Sequence, residues 1–329
     1  MSPTSGIVRV DVMRGGAFES GHQVYFATAG PGTALPVGAG ERVFLRSSAK
    51  PFQAAAVVAS GATERFGMTD EEIAIMAASH AGEERHTALV AGLLAKIGVS
   101  ESFLGCGAHP PFDAATAARV GSAFRALHHN CSGKHAGMIA LAIVLGVEPR
   151  AYLDPLGTVQ QAIRRTVALA CGLAPDQVVT AIDGCSALTF AVPLTAAAHA
   201  FSRLSRPASA PAELCAALQR VACAMMAHPY LVGGTGRFDT RLMEAAGGGL
   251  VSKAGAEGLQ GVANVATAEG LCLKVRDGAA RAVAPATLEV LRAANWIDGR
   301  VLDRLRDESR PAIVNFAGRT VGEIVARVA

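Results

Sequence analysis

The sequence has 329 residues, which allows one large domain or two small ones with a hydrophobic core of ordinary size. Hydrophobic residues make up 51% and charged residues 17% of the chain, a composition typical of globular proteins that excludes intrinsic disorder. The net charge of +3 is too small and too dispersed to indicate a nucleic-acid partner.

The sequence predicts neither a membrane-spanning segment nor an export signal. The longest nearly unbroken apolar stretch, residues 136–147, is too short to span a membrane. The first five residues lack the basic segment and apolar core of a signal peptide, so we expect a cytoplasmic protein with no membrane partner. The seven cysteines are an odd number in such a chain, which indicates thiols or metal ligands and not a disulfide framework.

Regular elements follow from the hydrophobic pattern. Alternation or β-branched runs predict strands at residues 7–13, 23–28, 178–182 and 271–275. Helical periodicity and glycines at helix ends predict helices at residues 47–61, 83–97, 116–127, 136–146, 156–171, 212–227 and 285–295. Two further helical segments, split at Pro193, are predicted to run to about Leu204. Three segments fit either a helix or a strand: residues 70–78, 313–316 and 321–325.

Glycine and proline place the connections between these elements. A turn is predicted at residues 19–21, and loops are predicted at residues 31–40 and 105–111. A glycine-dense run follows at residues 231–261, and its GGTGR segment is interpreted as tight backbone and an edge near a substrate, because it lacks the Lys-Ser/Thr ending of a phosphate loop. Strands thus cluster at both ends with helices between them, which predicts a single domain over residues 1–329 with a mixed sheet, flanking helices and a helical middle.

Ser47 and Lys50 form a Ser-x-x-Lys motif at the start of a predicted helix, where Pro51 is tolerated. The i,i+3 spacing places both side chains on one helical face. Lys50 can then act as the base for the serine if burial or a nearby cation lowers its pKa. A serine N-cap beside a solvated lysine is the commoner meaning of this motif. Only five of the 30 basic residues are lysines, which favours a specific role for Lys50.

Cys131, Lys134 and His135 lie at i, i+3 and i+4 of a predicted helix start, with Asn130 as its N-cap. A thiolate there, together with Cys185, can hold zinc if a third protein ligand is present. On spacing alone, a buried structural cysteine is the better interpretation of Cys131.

Asp183 directly follows residues 178–182, which are predicted to be a buried strand. The end of a strand is a frequent place for site residues. From the local sequence, however, the better interpretation of Asp183 is the N-cap of the next helix.

Six segments, in this order, resemble the asparaginase II family of thermolabile, Rhizobium-type class 3 L-asparaginases: SSAKPFQA, ASHAGE, HHNCSGKHAGM, DGCSALTFAVPL, AHPYLVGGTGRFDT and SKAGAEG. The similarity runs from about residue 7 to the end. The family is similar in fold to serine β-lactamases and penicillin-binding proteins. The resemblance therefore implies an α+β fold, an α/β/α sandwich whose mostly antiparallel sheet is flanked by helices and joined to a helical sub-region.

The resemblance also implies catalytic residues. It implies one Ser-Lys pair at Ser47 and Lys50 and a second at Ser79 and Lys253. In the reaction that we expect, Ser47 attacks the side-chain amide of L-asparagine with Lys50 as base, and the second pair orients groups or relays protons. The products are L-aspartate and ammonia, so the protein is expected to be an amidohydrolase.

The same resemblance implies a zinc ion held by Cys131, Lys134 and Cys185 beside the substrate, and assembly as a homodimer. A lysine must be neutral to bind a metal ion, so Lys134 needs a strongly lowered pKa.

A free amino acid needs both of its charged ends held. Arg46 is the candidate for the substrate carboxylate, and Asp183 is the candidate for the ammonium group or for orienting a site lysine. His135 and Lys134 are further candidates for substrate binding. Two alternatives remain. One is a β-lactamase-like acyl-transferase, which also uses a serine nucleophile beside a lysine. The other is a non-catalytic protein that binds zinc or an amino acid.

Overall fold

The computed structural model describes residues 5–31 and 41–328. Ten strands lie in these ranges: β1 (Ser5–Arg14), β2 (Ala17–Ala29), β3 (Arg42–Phe44), β4 (Val179–Ile182), β5 (Leu188–Pro193), β6 (Leu250–Gly255), β7 (Leu259–Asn264), β8 (Glu269–Val275), β9 (Ala312–Val314) and β10 (Thr320–Val328). The helices of these ranges are α1 (Lys50–Ala59), α2 (Ala62–Arg65), α3 (Asp70–Met76), α4 (Glu84–Lys96), α5 (Ala114–Val120), α6 (Ser132–Val144), α7 (Thr158–Cys171), α8 (Leu194–Ser205), α9 (Ala212–Ala227), α10 (Pro229–Val232), α11 (Phe238–Ala245), α12 (Val283–Ala293), α13 (Gly299–Arg304) and α14 (Arg306–Ser309). Among the residues described, no helix has the length and apolar character needed to cross a membrane.

A seven-stranded sheet organises the fold, in the order β6-β7-β8-β2-β1-β10-β9. Its strand pairs are all antiparallel. The first and last strands of the chain are neighbours in this sheet, because β1 lies between β2 and β10. A separate three-stranded sheet has the order β3-β5-β4 and leads the chain into α1.

Helices cover both faces of the seven-stranded sheet. Along β2, Val24 and Phe26 point into a core with α12, whereas Ala27 and Ala29 point into the larger core formed with the other helices. Helix α8 packs against β8, β2 and β7 on that second side, and α12 packs against β10 and β1 on the first. This arrangement confirms the predicted α+β class with an antiparallel sheet between helices, while the specific likeness to serine β-lactamases stays a prediction.

Most predicted helices are found within a few residues of their expected bounds, and residues 70–78 resolve as helix α3. The predicted helix at residues 116–127 is shorter than expected. It ends at Val120 as α5, and a separate 3-10 turn spans Ala126–His128. The segments at residues 313–316 and 321–325 belong to strands β9 and β10. The predicted loop at residues 31–40 lies, apart from Pro31, outside the described residues.

Three predictions for strands and turns were wrong. The first hairpin turns at Gly15 and Gly16, which both have positive φ, and not at residues 19–21. Residues 188–193 form the fully buried strand β5 instead of a helix. Strand β4 is present where a buried strand was predicted, but it is an outer strand whose Val179 and Ile182 are 47% and 57% exposed.

Candidate active site

A strained turn presents Ser47. Strand β3 ends at Phe44, and Arg46 then takes a positive φ of 48°, which is uncommon for a residue with a side chain and often marks functional sites. A 3-10 turn at Arg46–Ala49 continues into α1, whose first turn accepts Pro51 because no backbone N–H is needed there. Ser47 is half-buried at this junction.

Lys50 is buried, and its ammonium group has three oxygen acceptors. Its Nζ lies 2.6 Å from the Ala78 carbonyl oxygen, 2.9 Å from Ser79 Oγ and 3.2 Å from the Asn130 carbonyl oxygen. Burial lowers the pKa of Lys50, and the nearby Cys131 opposes this effect. The serine in contact with Lys50 is therefore Ser79, whereas no hydrogen bond among the described residues joins Lys50 to Ser47.

Ser79 is held by contacts between two distant motifs. Its backbone N–H donates to the Val232 carbonyl oxygen at 2.9 Å. Four residues further on, the Glu83 carboxylate accepts from the Thr235 N–H and hydroxyl, both at 2.8 Å, and from the Tyr230 hydroxyl at 3.1 Å. Hydrogen bonds therefore hold residues 230–235 against the segment that carries Ser79 and Glu83.

Two thiols and an amine meet at the start of α6. Lys134 Nζ donates to Cys185 Sγ at 3.0 Å, and Cys131 Sγ donates to Asn130 Oδ1 at 3.4 Å. Hydrogen bonding between the two cysteine side chains is the main cause that lowers the pKa of Cys131 well below its usual value and raises the pKa of Cys185. Burial lowers the pKa of Lys134, but the negative charge of the two sulfur groups outweighs burial and raises it. The Lys134 ammonium group therefore faces sulfur atoms that favour its charged form.

The donor set of this cluster fits zinc. Lys134 Nζ is within hydrogen-bond distance of Cys185 Sγ, and the buried Cys131 interacts with both residues, which matches the sulfur and nitrogen ligands that zinc prefers. Binding requires Cys185 and Lys134 to lose their protons, so zinc would have to displace them. No group of three or more His, Cys, Asp or Glu side chains that could hold a metal ion occurs in residues 5–31 and 41–328, and this cluster contains two cysteines and a lysine.

Asn130 is not the N-cap of α6, contrary to prediction. Cys131 takes the N-cap position without a side-chain capping bond. The preceding chain is a 3-10 turn, which places the Asn130 carbonyl against Lys50 and its backbone N–H against His109 Nε2 at 3.1 Å. Lys50 is therefore hydrogen-bonded to Asn130, the residue that directly precedes Cys131.

Arg46 and Asp183 form an ion pair. Arg46 Nε and Nη2 donate to Asp183 Oδ1 at 2.9 and 2.8 Å. Asp183 also accepts from the Gly184 N–H at 2.7 Å, inside the turn that joins β4 to β5. The interpretation of Asp183 as a helix N-cap was wrong, because the next element is a strand. The two candidates for the opposite ends of the substrate face each other.

His135 is fully buried behind the cluster. Its Nδ1 lies 2.7 Å from the Tyr152 hydroxyl, which also accepts from the Gly105 N–H. The other ring nitrogen, Nε2, is buried and has no hydrogen-bond partner among the described residues. Burial lowers the pKa of His135 well below its usual value, so the ring is neutral.

Lys253 is fully buried on β6. Its Nζ donates to the Ala254 carbonyl oxygen at 2.9 Å and lies 3.5 Å from Asp239 Oδ2. No hydrogen bond among the described residues joins it to Ser79. Sequence reasoning missed Asp239, because an aspartate in a first helical turn is ordinarily explained by the helix dipole. Its place between the GGTGR and SKAG segments was the available signal.

Comparison with protein-family models gives a match to the family described as L-asparaginase II over residues 10–326. The match covers nearly the whole chain, including every candidate site residue named above. A search of curated proteins finds no match.

Proposed function

Because the chain belongs to the L-asparaginase II family, we propose that it hydrolyses the side-chain amide of L-asparagine to L-aspartate and ammonia. The observation that carries this proposal is the buried contact of 2.9 Å between Lys50 Nζ and Ser79 Oγ. Lys50 lies three residues after Ser47 in the sequence. Amide cleavage needs a nucleophile, a group that moves protons, and charges that hold the substrate. Residues of all three kinds surround this contact.

Ser47 is the proposed nucleophile. It is half-buried, and its hydroxyl makes no hydrogen bond within the described residues, whereas the Ser79 hydroxyl already accepts from Lys50. During attack, a bond forms between Ser47 Oγ and the amide carbon while the hydroxyl proton passes to the neutral Lys50 amine. Lys50 returns the proton to the amide nitrogen, the carbon–nitrogen bond breaks, and ammonia leaves. Water then cleaves the ester, giving aspartate and the free serine.

Ser79 and Lys253 are proposed to relay protons or to orient Lys50. The support for Ser79 is its contact with Lys50, which provides a direct path for a proton. The support for Lys253 is burial, which lowers its pKa to about 8, so that the amine exchanges protons near neutral pH.

The ion pair of Arg46 and Asp183 suits a zwitterionic substrate. The α-carboxylate would take over the Arg46 guanidinium, and the α-ammonium group would take over the Asp183 carboxylate. Arg46 would exchange the Asp183 carboxylate for the substrate carboxylate, and Asp183 would exchange the Arg46 guanidinium for the substrate ammonium group. Binding would therefore leave neither residue without an oppositely charged partner. A ligand with one charged end leaves one of the two residues without a partner. The unpartnered Nε2 of His135 is a further polar atom for a bound molecule or water.

Cys131, Lys134 and Cys185 would hold the zinc ion. Zinc bound by these residues would supply a fixed positive charge that orients polar substrate atoms, since thiolate ligands make it a weak Lewis acid. In its absence, the three residues form their own hydrogen-bonded cluster next to Asn130 and Lys50.

The test is ammonia release from a panel that includes L-asparagine and L-glutamine, run beside a chromogenic β-lactam and the Ser47→Ala variant. We expect ammonia from asparagine with wild-type protein and none above background with the variant. Turnover of the β-lactam alone would favour an acyl-transferase, and stoichiometric asparagine binding without ammonia would favour a binding protein. The homodimer stays a proposal from the family resemblance, and light scattering measures it.

A further inference from the structure

The carboxylate of Asp239 is buried against the outer strand of the main sheet. Its Oδ1 accepts from Ser252 Oγ at 2.8 Å and from Gln260 Nε2 at 2.9 Å, and its Oδ2 accepts from the Ala254 N–H at 2.9 Å. Strand β6 has a neighbour on one side alone, so an N–H on its other side needs an acceptor. Asp239, in the first turn of α11, provides it.

These contacts surround Lys253 on both sides. Asp239 binds the side chain of the residue before Lys253 and the backbone of the residue after it, and its Oδ2 lies 3.5 Å from Lys253 Nζ. Ser252 and Gln260 also bind each other, with Gln260 Nε2 donating to Ser252 Oγ at 2.9 Å. The carboxylate can therefore not rotate without breaking several buried hydrogen bonds, and Lys253 Nζ faces a fixed oxygen.

The charges around Lys253 are few. Asp239 is the only carboxylate within ion-pair distance of Lys253 in the part of the chain that is described. Burial lowers the pKa of Lys253, Asp239 raises it, and the cations Lys50 on α1 and Arg237 before α11 lower it, with a result of about 8. Without the carboxylate, burial and two cations would all act against a charged amine.

We propose that Asp239 is a positioning residue that keeps the Lys253 amine in one place for proton transfer, an inference that rests on the proposed function. No hydrogen bond among the described residues joins the carboxylate to Ser47 or Ser79. Its oxygen fixes where Lys253 Nζ lies, and its charge sets how readily the amine takes up a proton. A purely structural role, as a partner for the sheet edge, would not require the charge.

Direct titration of Lys253 separates these two roles. The protein is labelled with [ε-¹³C]lysine and titrated by NMR, which is practicable because the chain has five lysines: Lys50, Lys96, Lys134, Lys253 and Lys274. The signal that disappears in Lys253→Arg is assigned to Lys253. We expect this amine to titrate near pH 8 in the wild type, and its midpoint to fall by about one pH unit or more in Asp239→Asn, because the opposing charge is gone. An unchanged midpoint would overturn the proposal.

Two variants are matched controls. Ser252→Ala removes one hydrogen bond to Asp239 and leaves the charge, and Asp11→Asn removes a buried carboxylate paired with Arg9 on β1, far along the sheet. We expect both to leave the Lys253 midpoint unchanged. A shift in Asp11→Asn as large as that in Asp239→Asn would overturn the proposal, since the shift would then report general loss of structure.

Activity adds a second readout. We expect the acid limb of the kcat/KM profile to move to lower pH in Asp239→Asn, together with the NMR midpoint. If Asp239→Asn does not fold, Asp239→Glu decides: the charge remains, so Lys253 should still titrate near pH 8 or above while kcat falls at least about tenfold. Wild-type kcat in that variant would overturn the proposal. If the wild type releases no ammonia but the NMR midpoint moves as expected, the proposed function fails while the effect of Asp239 on Lys253 stands.

Discussion

Replacement of each site serine by alanine distinguishes a nucleophile from a residue that orients the base. Loss of a serine nucleophile typically lowers kcat by about four to six orders of magnitude. Loss of one hydrogen bond to a charged group costs about 1.5–3 kcal/mol, which corresponds to about 10- to 150-fold in rate. Because the Ser47 hydroxyl makes no hydrogen bond within the described residues and the Ser79 hydroxyl contacts Lys50 Nζ at 2.9 Å, we expect the larger loss for Ser47→Ala and the smaller loss for Ser79→Ala.

The effect on stability should run in the opposite order. Ser79→Ala removes one of the three acceptors of the buried Lys50, which should lower the free energy of unfolding by about 1–3 kcal/mol. Ser47→Ala removes no hydrogen bond, and a change within about 0.5 kcal/mol is expected. Denaturant unfolding measures both values.

The assay is continuous detection of ammonia at saturating asparagine, with Ser48→Ala as the matched control. Ser48 is buried next to Ser47, but its hydroxyl donates to the Leu45 carbonyl oxygen at 2.7 Å. Its variant should keep most of the activity. The reasoning is refuted if Ser47→Ala retains more than about a tenth of wild-type kcat, where loss of a nucleophile costs far more. If Ser79→Ala then loses four orders of magnitude, Ser79 is the nucleophile.

Three further predictions concern the base, the metal ion and pH. Lys50→Arg should be nearly as inactive as Lys50→Ala, because arginine keeps the charge but cannot give up its proton; near-normal kcat in the Arg variant would show that a fixed cation is enough. Cys131→Ala and Cys185→Ala should each reduce zinc to background by elemental analysis, whereas Cys171→Ala, in the core of α7, should not; equal zinc in all three would mean adventitious metal. Since burial lowers the pKa of Lys253 to about 8 and a base must be unprotonated, kcat/KM should rise with pH and level off above about pH 8. A flat profile from about pH 6.5 to about pH 9 would contradict this role.

Glycines account for the strands that the sequence pattern missed. Strand β6 lies inside the glycine-dense run at residues 231–261, and β7 begins inside it, although no strand was predicted there. A Cβ atom on Gly261 would lie 2.0 Å from the Phe201 ring, and one on Gly270 would lie 2.1 Å from the Ser202 nitrogen. Helix α8 thus packs so closely on the sheet that larger residues do not fit. Nothing in the local sequence separates this use of glycine from a turn.

Strand β5 was missed for a different reason. Residues 188–193 are buried on both sides, so they form an apolar run without alternation, and such a run is equally compatible with a buried helix. The neighbouring β4 was correctly predicted to be a strand, because its residues are β-branched. The prediction that this strand is buried was wrong, however, since β4 is an outer strand and β5 is the central one.

The identities of the site residues came from motifs, but their pairing depends on contacts that no local spacing encodes. The i,i+3 rule pairs Ser47 with Lys50. Instead, Lys50 extends to Ser79, which is 29 positions away. Arg46 and Asp183 are 137 positions apart, and their ion pair depends on the hairpin between β4 and β5. Because β5 was predicted to be helical, the hairpin was not predicted, and the ion pair could not be predicted from the sequence.

The backbone supplies an independent argument that these residues form a functional site. Two non-glycine residues with positive φ, Arg46 at 48° and Ser186 at 70°, directly adjoin Ser47 and Cys185. Such conformations cost about 1–3 kcal/mol each, and glycine would remove most of that cost. At position 46, glycine would also remove the guanidinium that binds Asp183. A positive φ at a non-glycine residue is retained where the side chain itself is needed for function at a fixed position. It therefore supports a direct role for Arg46 beside the nucleophile, over a role in stabilising the turn.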